Sequence, residues 1–175
     1  MTSHTSMPLC LLALALAGCS NPRPNRDPTG EAFPEVEATS LSGEAVELPA
    51  TLAGSRAVLL VGYVQNAQFD CDRWILGLMQ AETPVPLYEI PTIEGMVPGM
   101  FAGSINNGMR NGIPEEDWGS VLTVYGDAGD IVRLTGKENP RNARVFLLNE
   151  HGEIAWFHDR GYSAGKLMEL DRLCR

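Results

Sequence analysis

The chain of 175 residues lacks the features that mark several large classes of protein. It has no run of basic residues, no glycine-rich phosphate-binding loop and no internal repeat. Its longest apolar run, 9–17, is too short for a bilayer core, which needs about 20 residues. Acidic residues outnumber basic ones by 22 to 13, giving a net charge of -9. This balance argues against binding nucleic acid and against electrostatic docking on anionic lipid.

Cysteine and histidine are scarce as well, with four and three residues, and their spacing excludes several kinds of site. The chain has neither the Cys-x-x-Cys pair of thiol oxidoreductases nor the Cys-x-x-Cys-His site that attaches haem. His151 and His158 have no cysteine at ligand spacing. We therefore expect two exposed imidazoles, no metal and no cofactor.

Length and composition predict one folded domain with a tail. Hydrophobic residues make up 44% and charged residues 20%, close to the globular average. Residues 19–32 have prolines at positions 22, 24 and 28 and almost no apolar side chains, which predicts a disordered tether. The pattern changes at Phe33, so the folded domain is expected over 33–175.

The start of the chain carries its most specific motif. Leu16-Ala17-Gly18-Cys19 follows the short apolar run and resembles the lipobox of bacterial lipoproteins. The resemblance implies that residues 1–18 are a signal peptide and that Cys19 becomes a lipidated N-terminus attached to a membrane. Ser20 after the cysteine favours an outer membrane, with the domain facing the periplasm. An ordinary signal peptide or a short buried helix are the alternatives.

The folded part alternates short strands with helices. Ala57–Val64 is continuously apolar, as in a strand covered on both faces. The other predicted elements are a hairpin over 35–48 turning at Ser42-Gly43, a helix over 69–80, strands over 85–90 and 121–125, the first turn of a helix after Pro114, a hairpin over 145–157, and a helix over 163–173 with Leu167, Met168 and Leu170 inward.

This order of elements resembles the thioredoxin-like fold of peroxiredoxins and thiol reductases, over residues 33–174. Phe33-Pro34 and the segment 145–154 are the most recognisable pieces. The resemblance implies an α/β domain with a central mixed β-sheet flanked by helices and an N-terminal β-hairpin.

The thiol site of that fold is incomplete here. In Gln68-Phe69-Asp70-Cys71 the attacking cysteine is replaced by Gln68, and only the second position is a thiol. The neighbouring Asp70 and Asp72 should raise the pKa of Cys71. Where the family has a cis-proline, this chain has Ala143. We expect Cys71 and Cys174 to be unpaired and lean against an enzyme.

A narrower resemblance rests on the segment that surrounds Arg110. The chain is similar to the mitochondrial ATP-synthase assembly-factor family and its bacterial relatives. The matching residues are Gly62, Tyr63, Trp74, Tyr88-Glu89-Ile90-Pro91, Gly108-Met109-Arg110, Gly112-Ile113-Pro114, Thr123 and Tyr125. The resemblance implies binding of a partner subunit during assembly of a membrane complex. Arg110 itself is expected to pair with the acids at 115–117 or to bind an anionic group.

Two functional hypotheses follow. The first is a membrane-anchored, redox-inactive binding or assembly module with a protein partner in the cell envelope. Its predicted contact residues are Tyr88, Glu89, Pro91, Gly108, Met109, Arg110, Gly112 and Ile113. The second is a single-cysteine thiol oxidoreductase or peroxide-reactive enzyme that uses Cys71.

Overall fold

A computed structural model describes residues 23–95 and 102–175 of the chain. The strands are β1 (Val36–Ser40), β2 (Ala45–Leu48), β3 (Ala57–Gly62), β4 (Leu87–Pro91), β5 (Leu122–Val124), β6 (Arg144–Leu148) and β7 (Ile154–His158). The α-helices are α1 (Gln68–Gln80), α2 (Ala102–Arg110), α3 (Ala128–Thr135) and α4 (Ala164–Cys174), and a 3₁₀ helix covers Glu115–Ser120. Among the described helices none is long and apolar enough to cross a membrane. The predicted signal peptide and Cys19 lie outside the described residues.

The strands form two sheets that meet at β4. The first has the order β2-β1-β5 and the second the order β4-β3-β6-β7. β3 and β4 are parallel, whereas β3–β6 and β6–β7 are antiparallel. Isolated parallel bridges join Glu89 to Val121 and Thr92 to Val124. β4 therefore has a neighbour on each side, and its backbone is not an open edge.

Each face of the sheet has its own hydrophobic core. One core contains Leu59, Val61 and Ile90 and is covered by α3 through Ile131 and Val132. The other is covered by α1 and α4, which contribute mainly Trp74, Leu78, Leu167 and Leu170. β3 contributes to both cores because successive side chains of a strand point to opposite faces. The continuous apolar run in the sequence is explained by this double burial.

The predicted hairpins and the helix that follows β3 are confirmed, and so is the thioredoxin-like fold. Two helices, α2 and α3, were not predicted. Pro114 is followed by a 3₁₀ helix rather than an α-helix. Ser163 caps α4 by accepting a hydrogen bond from the Lys166 backbone N–H at 3.5 Å. Met168 is 56% exposed, so the prediction that it faces inward is wrong.

Residues 23–32 are held against the domain, contrary to the expectation of a disordered tether. The Arg26 N–H donates to the Thr135 carbonyl, and the Lys137 N–H donates to the Arg23 carbonyl. Further along, the Gly30 N–H donates to the Ile154 carbonyl at 2.8 Å. Composition cannot predict this docking, because the bonds join backbone groups more than a hundred residues apart.

Candidate functional site

The first turn of α1 lies just beyond the carboxyl end of β3, where the sequence places the incomplete thiol site. Gln68 begins the helix and is exposed, and its side-chain amide donates to Asp72 at 2.9 Å. An amide at this position is not a nucleophile. The position of the attacking thiol is thus occupied by a residue that ties down the first helical turn.

Cys71 is sealed inside the core below α1, with only 1% of its surface exposed. Burial raises the pKa of its thiol, and the charges of Glu89, Asp70 and Asp72 raise it further. Nucleophilic cysteines need the opposite environment, since the thiolate is the reactive form. The site therefore keeps Cys71 as a neutral thiol near pH 7.

Asp70 uses its carboxylate to close the same edge of the sheet. One oxygen accepts the Ala143 backbone N–H at 2.9 Å, and the other accepts the Tyr162 backbone N–H at 2.8 Å. Its side chain is buried. Proline has no N–H to offer, so a proline at position 143 would remove the first of these bonds. The bond between Asp70 and the Ala143 N–H is therefore incompatible with a proline at position 143.

Arg144, a second buried charge at this edge, holds the loop that precedes β6. Its guanidinium donates to the carbonyls of Glu138, Asn139 and Asn142 at 2.5 to 3.0 Å, and to the Asn25 side chain at 3.1 Å. It also lies 5.0 Å from the ring centroid of Tyr63. Burial lowers the pKa of Arg144 and raises that of Tyr63 to about 12. Sequence reasoning missed this residue because it begins an apolar strand.

The predicted contact residues of β4 do not share a surface. Tyr88 packs against the core that α3 covers. Glu89 lies on the opposite face, close enough to Cys71 for its charge to affect that thiol. Burial raises the pKa of Glu89, and the charge of Asp72 adds to the rise. Pro91 is half-buried at the end of the strand.

The segment after β4 is fixed by Arg110, though not in the way expected. Its Nε donates to the Leu41 carbonyl at 2.7 Å, and Nη1 donates to the Asn107 side chain at 2.9 Å. The guanidinium lies over the Trp118 ring at 5.4 Å. The prediction that it pairs with the acids at 115–117 is therefore wrong.

The remaining predicted residues of this segment lie in the last turn of α2 and directly after it. Gly108 and Gly112 are exposed, and Met109 and Ile113 are half-buried. The Ile113 carbonyl accepts the Trp118 indole N–H at 3.0 Å. At the inner side of α2, Asn106 accepts the Tyr125 hydroxyl at 2.8 Å. α2 and the turn after it are thus attached to the hairpin, to β5 and to the 3₁₀ helix.

Cys71 and Cys174 are both free thiols in the structure. Burial raises the pKa of Cys174 to about 11. His151 is exposed as predicted, but His158 is not. Its ring stacks on Trp156 at 5.9 Å, and its Nε2 lies 2.8 Å from the Gly161 carbonyl.

Comparison with known proteins supports the fold alone. No protein-family model matches the chain, and no curated protein is significantly similar to it. Solved structures do match. The pneumococcal exposed lipoprotein thioredoxin Etrx1 from Streptococcus pneumoniae has a TM-score of 0.55 and 9% identity, covering 80% of this chain and 99% of its own. Yeast Sco1 with copper bound gives 0.56 and 10%, covering 82% and 92%. BsSco, a member of the Sco family of cytochrome c oxidase assembly proteins, gives 0.56 and 10%, covering 86% and 96%.

The copper in the yeast structure prompts a test of the residues present here. Among the residues that the structure describes, no group of three His, Cys, Asp or Glu side chains is placed to hold a metal ion. The thiol nearest to the fold's usual site, Cys71, is buried and protonated rather than available as a thiolate ligand. The described residues do not fit a copper site.

Proposed function

We propose that this chain is a lipid-anchored protein of the bacterial cell envelope whose thioredoxin-like domain binds a protein partner and does not exchange thiols. The observation that carries the proposal is the closed state of the thiol site. Cys71 is 1% exposed with a raised pKa, and Gln68 stands where a second thiol would be needed. The backbone N–H of Ala143 is already bonded to Asp70.

The anchor and the assembly role are supported by the chain's own motif and by what its structural neighbours are. Leu16-Ala17-Gly18-Cys19 resembles a lipobox. Of the neighbours, Etrx1 is an exposed lipoprotein and BsSco belongs to a family of assembly proteins. The resemblance to ATP-synthase assembly factors points to the same class of role. The outer membrane is the favoured location on account of Ser20.

The partner surface that we favour is the end of α2 with its following turn, residues 108–113. Gly108, Asn111 and Gly112 are exposed there and Met109 and Ile113 are half-buried, while Arg110 attaches the segment to the Leu41 carbonyl. Gly112 follows the helix and bonds back to the Met109 carbonyl at 2.9 Å, which presents the turn outward. Tyr88, Glu89 and Pro91 would then support the sheet beneath this surface and would not touch the partner.

Native thiol alkylation separates this proposal from the enzyme hypothesis. The membrane-extracted protein is treated with a mass tag at pH 7, and Cys71→Ser and Cys174→Ser variants assign each reaction. We expect tagging of Cys71 to be at least a hundredfold slower in the folded protein than after denaturation, because the thiol is buried. Tagging at the rate of a free peptide thiol, together with turnover of a disulfide or peroxide that Cys71→Ser abolishes, would establish the enzyme instead.

Partner capture tests the binding surface. The lipidated protein is cross-linked in bacterial envelopes and purified, and the captured proteins are identified by mass spectrometry. Met109→Glu should reduce capture of the specific partner at least tenfold, because it places a charge in the contact. Met79→Glu is the matched control, since Met79 is 66% exposed near the far end of α1. Equal loss in both variants, or loss in neither, would contradict the assignment of the surface.

A further inference from the structure

The positions of the basic residues differ from what the overall charge suggests. The segments 23–26, 133–144 and 159–160 contain seven of the thirteen Lys and Arg residues but only two of the 22 acids. Each of these segments contributes to one edge of the domain. Three of the seven, Arg26, Arg133 and Lys137, are ion-paired with the acids Glu31, Asp130 and Glu94, and Arg144 is buried. The exposed basic side chains outside these ion pairs at this edge are those of Arg23, Arg141 and Arg160.

Hydrogen bonds bring these segments together. Asn25 donates through its side chain to Asp159 at 2.7 Å and accepts the Glu138 N–H at 2.7 Å. The Asn142 side chain donates to the Asp159 carbonyl at 3.1 Å. Asp70 then joins the loops of Ala143 and Tyr162 to the first turn of α1. We call the surface formed by residues 23–25, 138–143, 159–162 and 68–69 the anchor edge.

The outer residues of the anchor edge include an aromatic ring and two arginines, beside the exposed Gln68, Glu138 and Asn139. Phe69 is 69% exposed, the largest fraction among the large apolar side chains described. Arg141 and Arg160 are exposed and form no ion pair with any other described residue. Both acids of the edge, Glu138 and Asp159, bond instead to Asn25. Arginine beside an exposed aromatic ring suits the boundary between phosphate headgroups and acyl chains.

The position of Arg23, the first described residue, limits how far the domain can lie from a lipid attached to Cys19. Arg23 is held at the anchor edge by the Lys137 N–H, which donates to its carbonyl at 2.9 Å. Gly136, buried with a φ of 75°, lets Pro24 pass so closely that any side chain there would collide with it. Between Cys19 and Arg23 the chain can span at most about 14 Å. The anchor edge must therefore lie close to the membrane surface if Cys19 is acylated.

We propose that the anchor edge rests on the anionic phospholipid surface of the membrane that holds Cys19, with Phe69 at the headgroup boundary and Arg141 and Arg160 on lipid phosphates. This inference rests on the proposed lipid anchor. A short anchor and a basic patch act together, because a patch next to the bilayer gains about 1 kcal/mol per cation, which corresponds to about fivefold in affinity. The domain is thereby held in one orientation instead of turning freely on a tether.

Fluorescence of a single attached dye tests the orientation. Phe69→Cys and Leu173→Cys variants of the full lipidated protein are labelled with a polarity-sensitive dye and reconstituted into vesicles of phosphatidylcholine with or without phosphatidylglycerol. Leu173 is the matched control, since it is 43% exposed at the opposite end of α4. The parent protein, labelled in the same way, gives the background from Cys71 and Cys174. We expect a blue shift and protection from iodide at position 69 on anionic vesicles, and neither at position 173.

Charge reversal sharpens the test. Arg141→Glu with Arg160→Glu should move the docking equilibrium away from lipid roughly 30-fold or more and abolish the signal at position 69. Arg56→Glu with Arg172→Glu changes the net charge equally at the other end and should leave it intact. A dye at position 69 that stays in water, that enters neutral vesicles equally well, or that is shielded only when envelope proteins are added would overturn the proposal.

The intact mass of the same sample separates a failure of the anchor from a failure of the edge. Acyl groups on Cys19 with a water-exposed dye at position 69 would refute the anchor edge and leave the proposed function standing. A mass without acyl groups would refute the anchor itself. In that case the same protein is added to anionic vesicles. Protection of position 69 there would still support a lipid-binding edge, and its absence would overturn it.

Discussion

The anchor edge and the partner surface at 108–113 are each organised by an arginine, but the two arginines are used in opposite ways. Arg144 is fully buried and donates to three backbone carbonyls and to Asn25. Arg110 is half-buried and donates to the Leu41 carbonyl and to the side chain of Asn107 in its own helix. The edge where related folds carry out thiol chemistry thus has most of its inner polar groups bonded internally, and the Nε of Arg144 is the exception. The second region is attached more lightly and presents an open turn.

This difference bears on function because catalysis needs polar groups that can still bind a reacting molecule. At the edge, the Asp70 carboxylate already accepts the backbone N–H groups of Ala143 and Tyr162. The Arg144 guanidinium already donates to carbonyls of the loop that precedes β6. Only the outermost side chains remain for contacts with a membrane. The substitutions below test whether the two regions differ in stability as their burial indicates.

The largest effect is expected from Arg144→Met. It removes all four hydrogen bonds and leaves the carbonyls of Glu138 and Asn142 without a donor, whereas the Asn139 carbonyl still accepts the Asn142 backbone N–H. We expect the free energy of unfolding to fall by about 3 kcal/mol or more, since each unsatisfied buried group costs about 1–3 kcal/mol. Urea unfolding followed by tryptophan fluorescence measures it. Arg141→Met, on the exposed side of the same loop, should change stability by less than about 0.5 kcal/mol. Similar losses in the two variants would show that the bonds of Arg144 do not stabilise the edge.

Asp70→Asn should have the next largest effect, about 2 kcal/mol of destabilisation. An asparagine has one acceptor oxygen, so it can serve the N–H of Ala143 or that of Tyr162 but not both. Amide hydrogen exchange at the released N–H should become faster. The control is Asp72→Asn, whose carboxylate is exposed and accepts only from Gln68. Unchanged hydrogen exchange at the N–H groups of both Ala143 and Tyr162 would show that Asp70 does not hold the two loops together.

Much of the fold could be predicted because its signals are local. The apolar run of β3, the helical spacing around Trp74 and the turn at Asn149 each lie within one element. The pairing of β1 with β5 could not, since it joins residues more than eighty positions apart. The docking of residues 23–32 onto the domain could not be predicted for the same reason. The hydrophobic pattern does not indicate these contacts, because side chains and backbone groups distant in sequence make them.

The candidate site divides in the same way, into features that neighbouring residues predict and contacts between residues that are distant in sequence. The replacement of the thiol pair and the effect of acids on Cys71 followed from neighbouring residues. Arg110 was expected to bind acids a few positions away, but folding brings it to Leu41 instead. By contrast, the separation of Tyr88 from Glu89 onto two faces was predictable, since a strand alternates its side chains. A contact patch drawn from consecutive strand residues ignored that rule.

Arg110→Met should destabilise the protein by only about 1 kcal/mol, because it loses one long-range hydrogen bond and the contact with Trp118 at a half-exposed site. Hydrogen exchange should rise locally within 102–120 and not at the anchor edge. Arg73→Met, at an exposed position of α1, is the control. A loss as large as that of Arg144→Met would abolish the contrast between the two regions.

Glu89→Gln should have the smallest effect, and in the opposite direction. Burial raises the pKa of Glu89 above its ordinary value of 4.5, so the folded protein holds this proton at a pH where the unfolded chain has released it. The stabilisation from protonated Glu89 is complete below pH 4.5 and is lost as the pH rises through the folded-state pKa. A neutral glutamine removes that loss. We therefore expect the variant to gain up to about 1 kcal/mol at pH 7 relative to the parent and nothing at pH 4. Unfolding curves at both values measure it, with the exposed Glu44→Gln as control. A gain equal at both pH values would mean that packing, and not the buried charge beside Cys71, sets the cost.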